Sequence, residues 1–231
     1  MATTKPVRES DLYPRVEKWM RSTLSCFATG INTGTRHGRI DVAGLRDVGG
    51  DLSGKCELIA IEVKAGRQPF ATAAGQAYGY SVYADLTYLA DLRPAGKDFS
   101  DAERAIAARL KIGLIALRGN GRIAEVQTSP LHEPIEGLRL QVIEAMGHAV
   151  CSVCSAVFRR GEDGREFANV KRAGVNPGAV KKAVAEGKGY VYWLQEASGR
   201  DKKQRSLMYR RRYVCPDCVW NLFRDFAPDA E

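Results

Sequence analysis

Apolar residues recur along this chain with two periods, and each period predicts a different element. Leu12, Val16, Trp19, Met20 and Leu24 stand at helical spacing. They predict an amphipathic helix with Ser10 or Asp11 as its cap and Pro14 in its first turn, where a missing N–H costs nothing. Glu17 follows Val16 at the edge of the apolar face. Gly30, Gly34 and Gly38 then punctuate a stretch expected to be a strand and a loop. Two runs, Arg39 to Asp47 and Glu57 to Ala65, read as strands separated by Gly- and Asp-rich turn residues. The second run is apolar on both faces until Glu62, the pattern of a central strand covered on both sides.

Pro69 to Ala84 reads as a helix, although Gly75 and Gly79 each cost about 1 kcal/mol relative to Ala. Thr87 to Leu92 is a short strand. Ser100 to Leu110 is a helix opened by a capping box of Ser100 and Glu103. Ile112 to Leu117 predicts another buried strand, and Arg122 to Gln127 a last edge strand. This order of elements predicts an α/β fold with a mixed central sheet.

Pro130 and Pro134 mark a boundary, and Leu138 to Met146 reads as a connecting helix. Beyond it, Asn176 as cap, Pro177 at the first position and Gly187 as stop predict a further helix. A hairpin of Tyr190 to Glu196 with Leu207 to Val214 closes the pattern. The expected organisation is a core over residues 1–130, a linker over 131–150, and a small α+β module over 151–231.

Composition narrows the class. With 231 residues, 45% of them hydrophobic, the chain can bury a substantial core. No run of about 18 apolar residues suggests a membrane span, and the first ten residues lack the apolar centre of a signal peptide. A cytoplasmic protein is therefore the expectation. Charge is unevenly placed. Residues 1–150 carry 19 Lys and Arg against 17 Asp and Glu, whereas 151–231 carry 16 against 10. The net excess, +2 in the first part and +6 in the second, points to a polyanionic partner, and nucleic acid is the commonest.

Six cysteines refine this picture. Cys151/Cys154 and Cys215/Cys218 form two CxxC pairs, while Cys26 and Cys56 stand alone in apolar segments. Paired CxxC in a chain without a secretory signal reads as a Cys₄ structural Zn²⁺ site with no open coordination position. His148 lies close enough to be a substitute ligand. The intervening sixty residues hold the basic pairs Arg159-Arg160, Lys171-Arg172 and Lys181-Lys182, then Lys202, Lys203, Arg205, Arg210, Arg211 and Arg212. Tyr190, Tyr192, Trp193 and Tyr209 interleave with these cations. The cations suit phosphate contacts; the aromatics either stack on unpaired bases or pack the hairpin onto the zinc module.

The candidate chemistry lies in the core. On a strand, Glu62 and Lys64 project from the same face, and Asp41 on the neighbouring strand can converge on them. An isolated Glu-x-Lys arises by chance about once in a chain this long. Within a buried strand, however, unpaired charge is expensive, which favours a site. Two carboxylates with a backbone carbonyl are suitable hard ligands for Mg²⁺. Arg36 and Arg39 flank His37 in the preceding loop and could touch DNA beside the metal.

Asp41 followed by Glu62-Val63-Lys64 resembles the D…(D/E)xK signature of the PD-(D/E)XK nuclease superfamily. Gln76-Ala-Tyr-Gly-Tyr80 on the next helix is similar to the QxxxY motif of its RecB-type and lambda exonuclease-like branch. Ile40 stands where many members have proline. The resemblance covers about residues 10–128 and implies a restriction-endonuclease-like αβββαβ core. It also implies that Asp41, Glu62 and the Val63 carbonyl bind Mg²⁺ or Mn²⁺ and that Lys64 is the catalytic lysine. Glu17 would assist through a metal-bound water, Gln76 would orient the lysine or a phosphate, and Tyr80 would reach the nucleic-acid backbone. The expected activity is phosphodiester hydrolysis in DNA. Its alternatives are a nucleic-acid-binding protein with a structural or inactive core, or a repair or restriction subunit that cuts only with a partner. A homodimer or a partner protein belongs with the last.

Overall fold

The structure, a computed structural model, describes residues 7–35, 38–49, 55–161, 165–169, 175–193 and 211–226. Residues form two compact units: Met1–Asp47 with Glu57–Val142, and Val48–Cys56 with Ile143–Glu231. The second break falls inside a helix, α4 (Glu136–Ala145), rather than at the prolines.

The first unit is a mixed α/β layer structure. A short 3-10 turn, Glu9–Asp11, leads into α1 (Tyr13–Thr23). The expected cap is corrected here: Leu12 is the N-cap and makes no side-chain cap bond, while Asp11 Oδ2 accepts from the Arg8 N–H at 3.0 Å and closes the preceding turn. Pro14 does sit in the first turn. Strands β1 (Cys26–Thr35) and β2 (Gly38–Asp47) pair antiparallel, so Gly30 and Gly34 lie within a ten-residue strand and Gly38 opens the next. β3 (Cys56–Lys64), α2 (Phe70–Gly79), β4 (Leu86–Arg93), α3 (Asp101–Arg109), β5 (Gly113–Arg118) and β6 (Ile123–Gln127) follow. α2 stops at Gly79 and tightens into a 3-10 turn over Tyr80–Val82, shorter than the expected helix.

The six strands lie in sequence order in one sheet, with β3, β4 and β5 parallel and the β1–β2 and β5–β6 pairs antiparallel. β6 is at the edge, where a last strand is expected. Parallel neighbours require crossovers, and α2 and α3 supply them. On one face Val16, Trp19 and Met20 of α1 pack against Val42, Ile61, Val63 and Tyr88. On the other, Ala73, Ala74 and Ala77 of α2 and Ala107 of α3 pack against Leu89, Leu114 and Ala116. Small alanines let α2 lie close to the sheet. Ser100 and Glu103 exchange the hydrogen bonds of the capping box, with the Ser100 N–H donating to Glu103 Oε2 at 2.6 Å.

In the second unit, β7 (His148–Val150) and β8 (Val157–Arg159) form a short antiparallel pair. β9 (Phe167–Ala168), β10 (Gly189–Trp193) and β11 (Arg211–Val214) form a three-stranded sheet in the order β11-β10-β9. The strand pair of the expected hairpin is present, with Tyr190 opposite Val214; residues 194–210 lie outside the described ones. Asn176 caps α5 (Pro177–Ala185) by accepting from the Ala179 N–H. Gly187 stops it at φ +61°. A helix that hydrophobic period did not announce, α6 (Pro216–Phe223), begins at the last CxxC with Cys215 as its N-cap.

Candidate functional site

β3 ends with its polar pair inside the molecule. Glu62 and Lys64 are only 5% and 6% exposed, so neither charge is solvated by bulk water. They sit two residues apart on one face, and Lys64 Nζ stands 2.6 Å from Glu62 Oε1. The second oxygen of Glu62 accepts a short hydrogen bond from the Tyr80 hydroxyl, whose oxygen also lies 3.0 Å from the Arg39 carbonyl oxygen. Tyr80 stands where α2 gives way to the 3-10 turn.

Asp41, half-buried on β2, is held from two sides. Tyr13 of α1 donates to Oδ1 and the Val63 N–H donates to Oδ2, each at 2.9 Å. Glu9, in the turn before α1, brings Oε2 to 3.6 Å from Lys64 Nζ. The site therefore gathers Glu9, Asp41 and Glu62 around a single ammonium.

Its electrostatics follow from that imbalance. Burial first, then the neighbouring Glu62 carboxylate, push Asp41 up to about 6, against the lowering effect of the Val63 N–H, Tyr13 and Lys64. Burial alone would lower Lys64, but Glu62, Glu9 and Asp41 hold it above its ordinary value and keep it charged. Burial and the carboxylates beside them raise both Tyr13 and Tyr80, which stay neutral donors. An excess of negative charge in a partly desolvated place is what a bound cation relieves, and the donor set of two carboxylates is chemically suited to a hard divalent ion.

Other sequence candidates fall elsewhere. The Glu17 Oε1 atom accepts from Thr29 Oγ1 of β1 at 2.6 Å and pairs with Arg21 at 3.3 Å. Gln76 is exposed on α2, and Arg39 is exposed at the start of β2. Arg36, His37, Lys202, Lys203, Arg205 and Arg210 lie outside the described residues. Arg211 places Nη1 2.5 Å from Glu144, and Arg212 donates to the Arg211 carbonyl. Tyr190 is buried, its hydroxyl accepting from Asn169 and from the Asn176 N–H, so it packs rather than stacks on a ligand. Glu9 and Tyr13 are the site residues that sequence reasoning missed. Their only signal is proximity in the chain to the first helix.

A second cluster lies in the other unit. The Sγ atoms of Cys151, Cys154, Cys215 and Cys218 all lie within 4.8 Å of one another and can hold a metal ion. Cys154 and Cys215 are 3.9 Å apart, close to the about 3.8 Å between thiolates 2.3 Å from a tetrahedral centre. Backbone N–H groups of Val153 and Cys215 point at the Cys151 sulfur, at 3.5 and 3.3 Å. Burial opposes the thiolate of Cys151, yet the N–H groups of Cys154, Cys215 and Val153, in that order, lower it to about 7. His148 turns Nδ1 to the Met146 carbonyl, and the cluster consists of the four cysteines. No protein-family model, curated protein or solved structure matches the chain.

Proposed function

We propose that the chain is a metal-dependent nuclease of the PD-(D/E)XK type that hydrolyses phosphodiester bonds in DNA. One observation carries the reading: a charged Glu62–Lys64 pair buried at the end of the third of six strands, beside Asp41 fixed to the N–H of the residue between them. The succession of α1, β1, β2, β3, α2 and β4 agrees with the αβββαβ core that the motifs imply. A divalent ion held by Asp41, Glu62 and the Val63 carbonyl would supply Lewis-acid polarisation of a phosphoryl oxygen and an acidified water. The chain's own residues do the rest. Tyr13 and the Val63 N–H aim Asp41, and Tyr80 holds Glu62 to a single orientation. Lys64 brings a fixed positive charge to the phosphate as negative charge develops on it. The cysteine cluster is assigned to structural Zn²⁺, and exposed Arg159, Lys181 and Lys182 of that unit to backbone phosphates.

The test is cleavage of plasmid and single-stranded DNA with Mg²⁺. The wild type should cut, and Lys64→Ala should lose about 10²- to 10³-fold in rate, the range found when one electrostatic stabiliser is removed. Removing one partner of a buried pair also costs about 3–5 kcal/mol, so Lys64→Ala is compared with the doubly neutral Glu62→Gln/Lys64→Met. That variant should melt near the wild type and still not cut. Equal cutting by wild type and Lys64→Ala, or none by either, overturns the proposal.

One observation favours a second reading. All four oxygens of Asp41 and Glu62 already have partners within the chain. A nucleic-acid-binding protein with a structural core would bind DNA with strong salt dependence and leave it whole.

A further inference from the structure

Immediately past Lys64 the first unit opens into a groove of about 820 Å³. Its floor is the ends of the three parallel strands, at Ala65 and Gly66, Leu92 and Arg93, and Arg118. Its walls are the loop after β4, with Lys97 and Asp98, and the turn after β5, with Asn120 and Arg122. Four cations line it against one carboxylate.

These four cations are not equivalent. Arg93 is fixed as part of the frame: it pairs with Asp91 and Glu103 at 3.0 Å and lies 4.6 Å from the centre of the Phe99 ring. Its Nε–H is buried without an acceptor among the described residues. Arg118 ties the two walls together, reaching Asp98 Oδ2 at 3.3 Å and donating to the Lys97 carbonyl. Lys97 and Arg122 differ from both. They are exposed, stand on opposite walls, and form no ion pair among the described residues. Both walls are also open to a backbone, since a Cβ at Gly96 or Gly119 would meet nothing within 4 Å.

We infer that this groove binds the phosphodiester backbone of the nucleic acid, with Lys97 and Arg122 each contacting a phosphate beyond the bond attacked at Lys64. The inference rests on the nuclease reading for the position of that bond. Gly66 is two residues past Lys64, where β3 has ended, so its Cα is at most about 7 Å from that of Lys64. The groove therefore takes phosphates next to the one at Lys64 rather than distant ones. A phosphodiester chain suits the place because each uncompensated cation needs only one charge and the groove is open along its length.

The experiment measures binding of the full-length protein to a fluorescent DNA strand across a salt series, without added divalent cation. Each phosphate contact contributes about 0.7 to 0.9 to the slope of log affinity against log salt. Lys97→Ala/Arg122→Ala should therefore flatten the slope by about 1.4 to 1.8. Lys18→Ala/Arg109→Ala, which removes the same charge from exposed positions on α1 and α3 outside the groove, should leave it unchanged. An unaltered slope in the groove variant, an equal loss in the control, or no binding by the wild type overturns the inference. The two readings fail separately. Cleavage with an unaltered slope removes the groove and keeps the nuclease, whereas a flattened slope without cleavage keeps the groove and removes the nuclease.

Discussion

At the scale of single residues, the site shows which charges a sequence pattern can locate. Glu62 and Lys64 were legible because they interrupt an apolar strand and a strand has period two. The choice of acid from the first helix was not legible, because it depends on where α1 begins. With the helix opening at Tyr13, Glu17 faces Thr29 and Arg21, while Glu9, one turn before the helix, reaches Lys64. The two acids should therefore respond differently. Glu17→Ala removes a charge-assisted bond to Thr29 in a partly exposed place, so it should cost about 1 kcal/mol of stability and leave cleavage intact. If the proposed nuclease reading holds, Glu9→Ala should keep the melting temperature and change the cleavage rate severalfold, since it alters the charge around the Lys64 ammonium. Melting curves and initial rates on the two variants separate the roles; the reverse assignment would show a rate loss in Glu17→Ala alone.

Among the elements, those with strong local signals stand where the sequence put them. The Ser100 capping box and the Asn176-Pro177 start are bonds between residues three apart, so the chain specifies them locally. β1 was legible only in part, because glycines weaken strand propensity and the strand is held by its pairing with β2. α6 was hidden because its start is set by Cys215, whose sulfur accepts from the Cys218 N–H as a cap. His132 shows a further tertiary effect. It follows β6, its N–H donates to the Asp85 carbonyl at 2.8 Å, and its Nε2 lies 3.0 Å from the Thr87 hydroxyl. Burial, aided by the Lys111 charge, holds its pKa below the ordinary 6.5. The folded state thus favours neutral imidazole while the unfolded chain takes up a proton near 6.5. Its contribution is present above that value and is lost as pH falls through the folded pKa. His132→Gln, which cannot titrate, should lose less stability than the wild type between pH 7.5 and 5. Urea denaturation at the two pH values measures the difference, and equal losses would remove His132 as the cause.

For the whole molecule, the two units differ in what holds them together. The first has apolar cores on both faces of a six-stranded sheet. The second relies on smaller clusters, in which Cys151 and Cys215 lie among Val180, Val184, Tyr190, Val214 and Val219. A small core needs a staple, and a structural metal is the usual one in a chain with reduced cysteines. If Zn²⁺ joins the two CxxC pairs, its binding free energy is part of the folding free energy of the second unit alone. Stripping the metal with a chelator should therefore release one equivalent of zinc. It should also speed amide exchange in α5, β10, β11 and α6 by orders of magnitude, because their shared cluster contains the cysteines. Exchange in β3, β4 and β5 should stay as slow as before, since their packing contains no metal ligand of that cluster. Hydrogen-exchange mass spectrometry reads both sets of peptides in one sample. Unchanged protection in the second unit after complete zinc loss would mean that the small core suffices by itself. Faster exchange in the parallel strands would mean that the first unit depends on the metal as well.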